Sequence, residues 1–271
     1  MKFTKKIGVI GVGKLGEAII AGLIKTDNSI VNNIIGSVNH LESIERVKNK
    51  FAIPISQNNI NLVSQCDILI IAVKPQNMDS LLKEINPYIT KAKLIISVAA
   101  SVTINYIAQR LEVPVSIIRA MPNTPCVINQ GMTAICASAN CNQEDLTLAN
   151  EIFKCVGETV FVDEYLMDGV TALSASGPAY LYVIIESLAE AGVKLGISRD
   201  ISTLLAAQTM LGAASMVLNS KSHPALLKDM VTTPAGCTID GLMELEEGKL
   251  RVTLIKAVVK AAIRAKELVN N

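Results

Sequence analysis

The sequence contains no tryptophan, and aromatic residues make up only 3% of its 271 positions. A chain this poor in flat rings offers little for bases or sugars to stack on, and its core must be built from Ile, Val, Leu, Ala and Met. Net charge is nearly absent as well: 25 Lys and Arg stand against 24 Asp and Glu, scattered without a basic stripe or an acidic tail. That balance argues against nucleic acid as a partner. Histidine occurs only at His40 and His223, and the six cysteines (Cys66, Cys126, Cys136, Cys141, Cys155, Cys237) form no C-x-x-C pair. No metal site is expected, and the thiols read as small core residues in a reducing cytoplasm.

Targeting signals are also missing. The opening "MKFTKKIGVIGVGKLG" has basic residues before an apolar run, but glycines and Lys14 break it and no small-residue cleavage site follows. The run "YLYVIIESLAEAGV" is cut by Glu186 and Glu190, and no other stretch reads as uncharged and unbroken for long enough to span a bilayer. The expectation is a soluble, cytoplasmic protein with no membrane partner.

What is present is a high apolar content, 50% of the residues, in a chain long enough for one large or two medium domains at roughly one per 150 residues. From Lys6 to about Val162, short β-branched runs alternate with amphipathic helical stretches: "KIGVIGV", "NNIIGSV", "DILIIAV", "KLIISVA", "SIIRAM", "MTAICAS" and "ETVFVD". Continuous apolar strands separated by helices predict a doubly wound, mostly parallel sheet covered on both faces. From about Glu164 the strands vanish and long Ala-rich helices take over. The expected division is an α/β domain over 1–163 and an all-α domain over 164–271. The helical half carries more apolar face than one small bundle can hide, which favours dimerisation through it; a larger bundle folded back on the sheet is the other reading.

Gly11, Gly13 and Gly16 fall in G-x-G-x-x-G spacing directly after the first strand and before a helix. In that setting the spacing predicts a Rossmann dinucleotide site, with Gly11 making the tight turn, Gly13 admitting a pyrophosphate and Gly16 letting helix and strand pack closely. Val12, Lys14 and Leu15 complete the turn. A NAD enzyme usually places an acid at the end of the second strand, where this chain has Ser37, Val38 and Asn39. The lack of an acid favours tolerance of a 2′-phosphate and hence NADPH, with NADH also possible. Ser37, Asn39 and Asn59 are neutral donors that could serve there, or ordinary turn residues. Two further strand ends, Ala72, Val73, Lys74 and Pro75 in one and Val98, Ala99 and Ala100 in the other, lie where a cofactor would run. Lys74 reads equally as a surface cation in a rigid turn or as a cation beside the cofactor.

One stretch of the helical half, "DMVTTPAGCTIDGL", carries no charge between Asp229 and Asp240. Thr232 or Thr233 could cap a helix there with Pro234 in its first turn. The same helix start would present free N–H groups, at the positive end of a dipole, to a small carboxylate.

The segments "RAMPNTP", "SASGPAYLYVIIESLAEAGVKLGISRD" and "KDMVTTPAGCTIDGLMELEEGKLR", taken in order, resemble the pyrroline-5-carboxylate reductases, and the resemblance covers essentially the whole chain. It implies the last step of L-proline synthesis, in which hydride passes from a reduced nicotinamide to the C=N carbon of Δ1-pyrroline-5-carboxylate. It also implies a helical domain that interlocks into homodimers, often assembled further into rings. Met121, Pro122, Asn123 and Thr124 would wall the nicotinamide pocket by the same resemblance. The backbone N–H groups of Gly236, Cys237 and Thr238 suit the substrate carboxylate. The Thr238 hydroxyl, the catalytic candidate, would reach the imine nitrogen or the carboxylate, and the resemblance favours the nitrogen; an early-helix Thr bonding its own backbone is the alternative. Ser176 and Val231, with Glu164 and Ser174, are further candidates on the substrate side. Whether the "TTPAGCT" loop serves its own or a partner's dinucleotide domain stays open.

The chain departs from the family in two places. Where members often read Ser-Pro-Gly-Gly, this sequence has Thr233-Pro234-Ala235-Gly236, and Ala175 stands where a glycine often precedes Ser176. The alternatives are a related imine or β-hydroxyacid dehydrogenase and a non-catalytic NADPH-binding protein. Hydroxyacid enzymes of this plan carry a catalytic Lys on the first long helix after the sheet, and this chain has none between Gly177 and Val193.

Overall fold

The computed structural model describes residues 4–267, so the outermost ends of the two expected domains, 1–3 and 268–271, lie outside the described residues. Eight strands form: β1 (Ile7–Ile10), β2 (Ile34–Ser37), β3 (Ile55–Ser56), β4 (Ile68–Ile71), β5 (Leu94–Ser97), β6 (Ser116–Met121), β7 (Gly131–Ala137) and β8 (Gly157–Phe161). All seven β-branched runs became strands. The addition, β3, is a two-residue edge strand after Pro54, too short to show any periodicity. The helices that accompany the sheet are α1 (Lys14–Thr26), α2 (Leu41–Phe51), α3 (Asn59–Gln65), α4 (Met78–Ile85), α5 (Ile104–Ala108), α6 (Gln143–Lys154) and α7 (Met167–Val170). Then follow α8 (Gly177–Lys194), α9 (Arg199–Ser220), α10 (Pro224–Met230), α11 (Cys237–Glu247) and α12 (Leu250–Glu267).

The sheet order is β3-β2-β1-β4-β5-β6-β7-β8. Every pairing is parallel except β6 with β7. The inner strands β1, β4 and β5 are apolar on both faces because both faces are covered, whereas the edge strand β8 is partly exposed. In β4, Ile68 and Ile70 enter the core on one side of the sheet while Leu69 and Ile71 enter the core on the other. Each such side chain contributes about 1.5–3 kcal/mol by leaving water, so a period-2 strand with no polar face is held from both sides. Burial pushes the Cys66 thiol up to about 11 and that of Cys136 up to about 12, well outside the range where a thiolate forms at neutral pH, whereas Cys237 is exposed and is not the core residue expected of it.

The chain separates into two compact units, one running to Ser176 and taking in the residues from Ala261 onward, the other Gly177–Lys260. The division falls later than 163/164 because the segment after β8 still packs on the sheet: Met167 is buried against Met121, Ala134 and Cys136, with Val170 and Ala175 beside them. In the second unit α8 and α9 form a hairpin that packs tightly at Gly192, where an added Cβ would lie 2.9 Å from the Ser202 Cβ. The fully buried residues of α8 to α11 are Ala189, Ser202 and Ala206, while Leu181, Leu204, Leu218 and Met243 stay exposed.

One expectation is corrected here. Helix α9, 22 residues long, is apolar and long enough by length and composition to cross a membrane. No charge falls between Ile201 and Ser220, so this stretch is an exception to the expectation that none is uncharged and unbroken for that length.

Candidate active site

The strand order reverses at β1 and β4, and the carboxyl ends of β2, β1, β4, β5 and β6 form a row about 19 Å long at ~4.8 Å per strand. Along this row lie the ends of five predicted segments: Ser37, Gly11, Ala72, Val98 and Pro122.

The glycine turn occupies the reversal. Gly11 has φ +86°, a region that L side chains rarely enter, and a Cβ there would lie 3.0 Å from the Ala72 carbonyl oxygen. Gly13 is the N-cap of α1, and a Cβ on it would meet no protein atom within 4 Å. Gly16 packs against Gly11 and Val9. The Gly11 and Val12 N–H groups both donate to the Ser37 carbonyl, at 3.0 and 2.9 Å, and Gly13 donates to Gly11. Because Glu17 is the first residue to donate back to Gly13, the N–H groups of Lys14, Leu15 and Gly16 keep the free first turn of a helix. Open space at Gly13 beside those donors fits a pyrophosphate.

Beside Gly11 lies a cavity of about 350 Å³, lined among others by Ser37, Asn39, Gln57, Asn59, Asn77 and Glu84. Ser37 is buried and donates its hydroxyl to Asn59 Oδ1 at 2.7 Å, and Asn59 Nδ2 donates to Glu84 Oε2 at 3.0 Å. The cavity therefore gathers Gly11, Ser37, Asn39, Asn59 and Val73 from the predicted cofactor set. Lys74 and Pro75 head a 3₁₀ turn (Pro75–Asn77), with Lys74 exposed. Val98 and Ala99 are buried after β5, and Ala100 packs with the Met121 cluster. Met121 and Pro122 are buried, so neither presents an open side-chain surface.

Asn123 links this row to the segment leading into α8. Its Oδ1 accepts from the Met132 N–H at 2.9 Å, which turns its Nδ2 toward the carbonyl and hydroxyl of Ser174 at 3.3 and 3.4 Å. Ser174 lies in a π-helical turn (Thr171–Ala175), closed by Ser176 N–H donating to the Thr171 carbonyl at 2.9 Å. Such turns widen a helix locally and often occur at functional sites. Under them sits a charge cluster absent from the predicted set apart from Glu164. Arg119, 2% exposed, points from β6 to Glu164 at 3.3 Å and Asp168 at 3.8 Å, while Glu164 also accepts from the Ile104 N–H. The signal was one arginine inside the apolar run "SIIRAM".

In the helical unit the stretch that drew attention folds differently from its capping reading. Gly236, and neither threonine, is the N-cap of α11, with no side-chain cap. Pro234 and Ala235 form a turn before the helix, closed by Gly236 N–H donating to the Thr233 carbonyl at 3.0 Å. Ala235 takes φ +55°, as the third residue of a Pro-led turn of this kind demands. The Gly236 N–H is therefore committed to the turn, which leaves Cys237 and Thr238 with free first-turn N–H groups. Thr232 bonds back to the Lys228 carbonyl at 2.8 Å, whereas the Thr238 hydroxyl makes no hydrogen bond among the described residues. Val231 is exposed.

A free helix start at a glycine turn, beside a polar cavity on the switch point of a parallel sheet, defines a dinucleotide-dependent oxidoreductase with a helical second part. The chain is 42% identical to the pyrroline-5-carboxylate reductase of Methanosarcina acetivorans, over 98% of each protein. It belongs to the pyrroline-5-carboxylate reductase family. The family model described as pyrroline-5-carboxylate reductase dimerisation matches residues 164–268, and one described as NADP oxidoreductase coenzyme F420-dependent matches residues 6–101. Among solved structures, the reductase of Coxiella burnetii superposes with a TM-score of 0.92 at 35% identity, covering 98% of this chain and 99% of that one. That of Plasmodium falciparum, solved with NADP bound, gives 0.88 at 34% identity and covers 98% of each.

Proposed function

We infer that this chain reduces Δ1-pyrroline-5-carboxylate to L-proline with NAD(P)H, as an oxidoreductase of the CH–NH class acting at the final step of L-proline synthesis. The observation that carries the reading at the level of residues is the start of α11: two free backbone N–H groups beside a threonine hydroxyl that has no partner among the described residues. The substrate is a small ring with one carboxylate and one imine nitrogen, and those two groups are what such a helix start can hold. The N–H groups of Cys237 and Thr238 take the carboxylate at the positive end of the helix dipole, without a cation. The Thr238 hydroxyl bonds the imine nitrogen and fixes which face of the C=N bond is presented. Val231 and Ser176 complete the substrate side.

Bound NAD(P)H supplies the hydride. Lys14, Leu15 and Gly16 would offer backbone donors to its pyrophosphate, Gly13 would leave the space, and Ser37, Asn39 and Asn59 would hold the adenosine-ribose end. Ala72 to Pro75, Val98 to Ala100 and Met121 to Asn123 form the remaining edge. A protonated imine is already an electrophile, so positioning supplies most of the acceleration and no general acid need be built in. We assign the protein to the cytoplasm, and the exposed apolar faces of its helical unit support dimers that assemble into rings.

The test is loss of NAD(P)H absorbance with purified protein, with and without pyrroline-5-carboxylate, run with NADPH and with NADH. Consumption that depends on the imine and yields proline is the expected result. Tight cofactor binding without turnover would leave the α11 start as a helix terminus only.

A further inference from the structure

We infer that Glu84 is a cofactor-specificity residue, which supplies from α4 the acidic group missing at the end of β2 and thereby disfavours a 2′-phosphate in the cavity beside Gly11. The inference rests on the reading of that cavity as the adenosine-ribose end of the dinucleotide site.

Dinucleotide folds usually select the 2′-hydroxyl with an acid on β2, and here that strand ends in Ser37. The fold brings an acid to the same place by another route. Among the described residues lining the cavity, Glu84 is the one ionisable side chain, and no cation lines it. An ionised carboxylate only accepts hydrogen bonds, so Glu84 must draw the Asn59 amide nitrogen, at 3.0 Å, and this turns the Asn59 oxygen toward Ser37. Ser37 then spends its single proton on that oxygen, at 2.7 Å. The relay leaves the Ser37 end of the cavity with lone pairs where a phosphate would need donors, while ribose hydroxyls, which donate, are matched to it. The negative charge of Glu84 acts in the same direction across the width of one asparagine side chain. The absence of an acid from β2 is therefore not by itself a signal for NADPH.

Glu84→Gln keeps a carbonyl oxygen for Asn59 and removes the charge; Glu84→Lys reverses it. Glu84 is exposed on its helix, so both variants should fold. Dissociation constants for NADPH and NADH by calorimetry, and for adenosine 2′,5′-bisphosphate against adenosine 5′-monophosphate, give a readout independent of turnover. The expected result is a shift of the NADPH to NADH affinity ratio toward NADPH by about 3- to 10-fold in Glu84→Gln, the size of one charge acting on a phosphate across a partly solvated cavity. Glu84→Lys should shift it further, and the wild-type ratio should itself move toward NADPH as salt screens the repulsion. Ratios that stay within about twofold of wild type in both variants, with both dinucleotides still bound, would overturn the role of Glu84 alone. Failure of either dinucleotide to bind the wild-type protein would overturn the cavity assignment and the inference together.

Discussion

Asn123 holds Ser174 by two hydrogen bonds from one amide group, tying the loop after β6 to the π turn that leads into α8. The Met132 N–H fixes the amide's orientation from the other side. Asn123→Asp keeps the acceptor for Met132 but sets a carboxylate against the Ser174 carbonyl. Losing this link should cost about 1–2 kcal/mol, read as a fall in kcat of roughly tenfold. Ser174→Ala should cost less, because the carbonyl contact survives. Steady-state kinetics with a thermal melt checks this; a kcat within twofold of wild type in Asn123→Asp, on a stable fold, would remove the link from the catalytic argument.

Gly13→Val should abolish NAD(P)H binding while the fold persists, because the added side chain meets only open space in the protein. Gly11→Val should lose both, since it combines a positive φ with close contacts at Val73 and Ala72. Calorimetry for the cofactor and circular dichroism for the fold separate the two variants. Normal cofactor affinity in Gly13→Val would dismiss the pyrophosphate assignment.

Thr238→Ala should lower turnover far more than it changes NAD(P)H affinity, and Thr238→Ser should restore much of the loss. The unbonded hydroxyl makes the alternative, a threonine satisfied by its own helix, the weaker account. Loss of cofactor affinity in step with turnover would sink the role given to it.

Glu17 reports on acid stability. Burial alone would raise its carboxyl pKa, but hydrogen bonds from Lys50 at 2.8 Å and from Arg46 outweigh that and hold it below the ordinary carboxylate value. A depressed folded-state pKa adds stability that is fully present above the unfolded value and is lost as pH falls through the folded one. Glu17→Gln should therefore destabilise the protein by about 1 kcal/mol at neutral pH, a figure kept small because both cations are half exposed. The gap between variant and wild type should narrow as pH falls below the ordinary carboxylate range. Urea titrations across that range would show it, and a gap independent of pH would refute the assignment.

The inner strands were legible because both of their faces are buried, which writes an unbroken β-branched run such as "DILIIAV" into the sequence. The glycine turn was legible because its three glycines do three different geometric jobs. What stayed hidden depends on contacts between distant residues. Glu84 comes from α4 to line the cavity beside Gly11 and to accept from Asn59, and nothing local to either residue says so. Arg119 was visible as an oddity in an apolar strand, but its partners Glu164 and Asp168 come from beyond β8. Of the two readings of the Thr-Thr-Pro stretch, the threonine cap followed local preference, whereas the fold makes Gly236 the N-cap and places Ala235 in a left-handed conformation that alanine adopts at a cost of about 1–2 kcal/mol.

Helices α8 to α11 leave Ala189, Ser202 and Ala206 as their fully buried residues, so most of the free energy that orders them has to come from association. Stability of this half then follows mass action and rises with protomer concentration, while the sheet carries its own core. A freshly synthesised chain would hold a finished sheet and an unfinished helical unit until it meets a second copy. The dose of protein in the cell, and not its sequence alone, would set how much of it is competent to work.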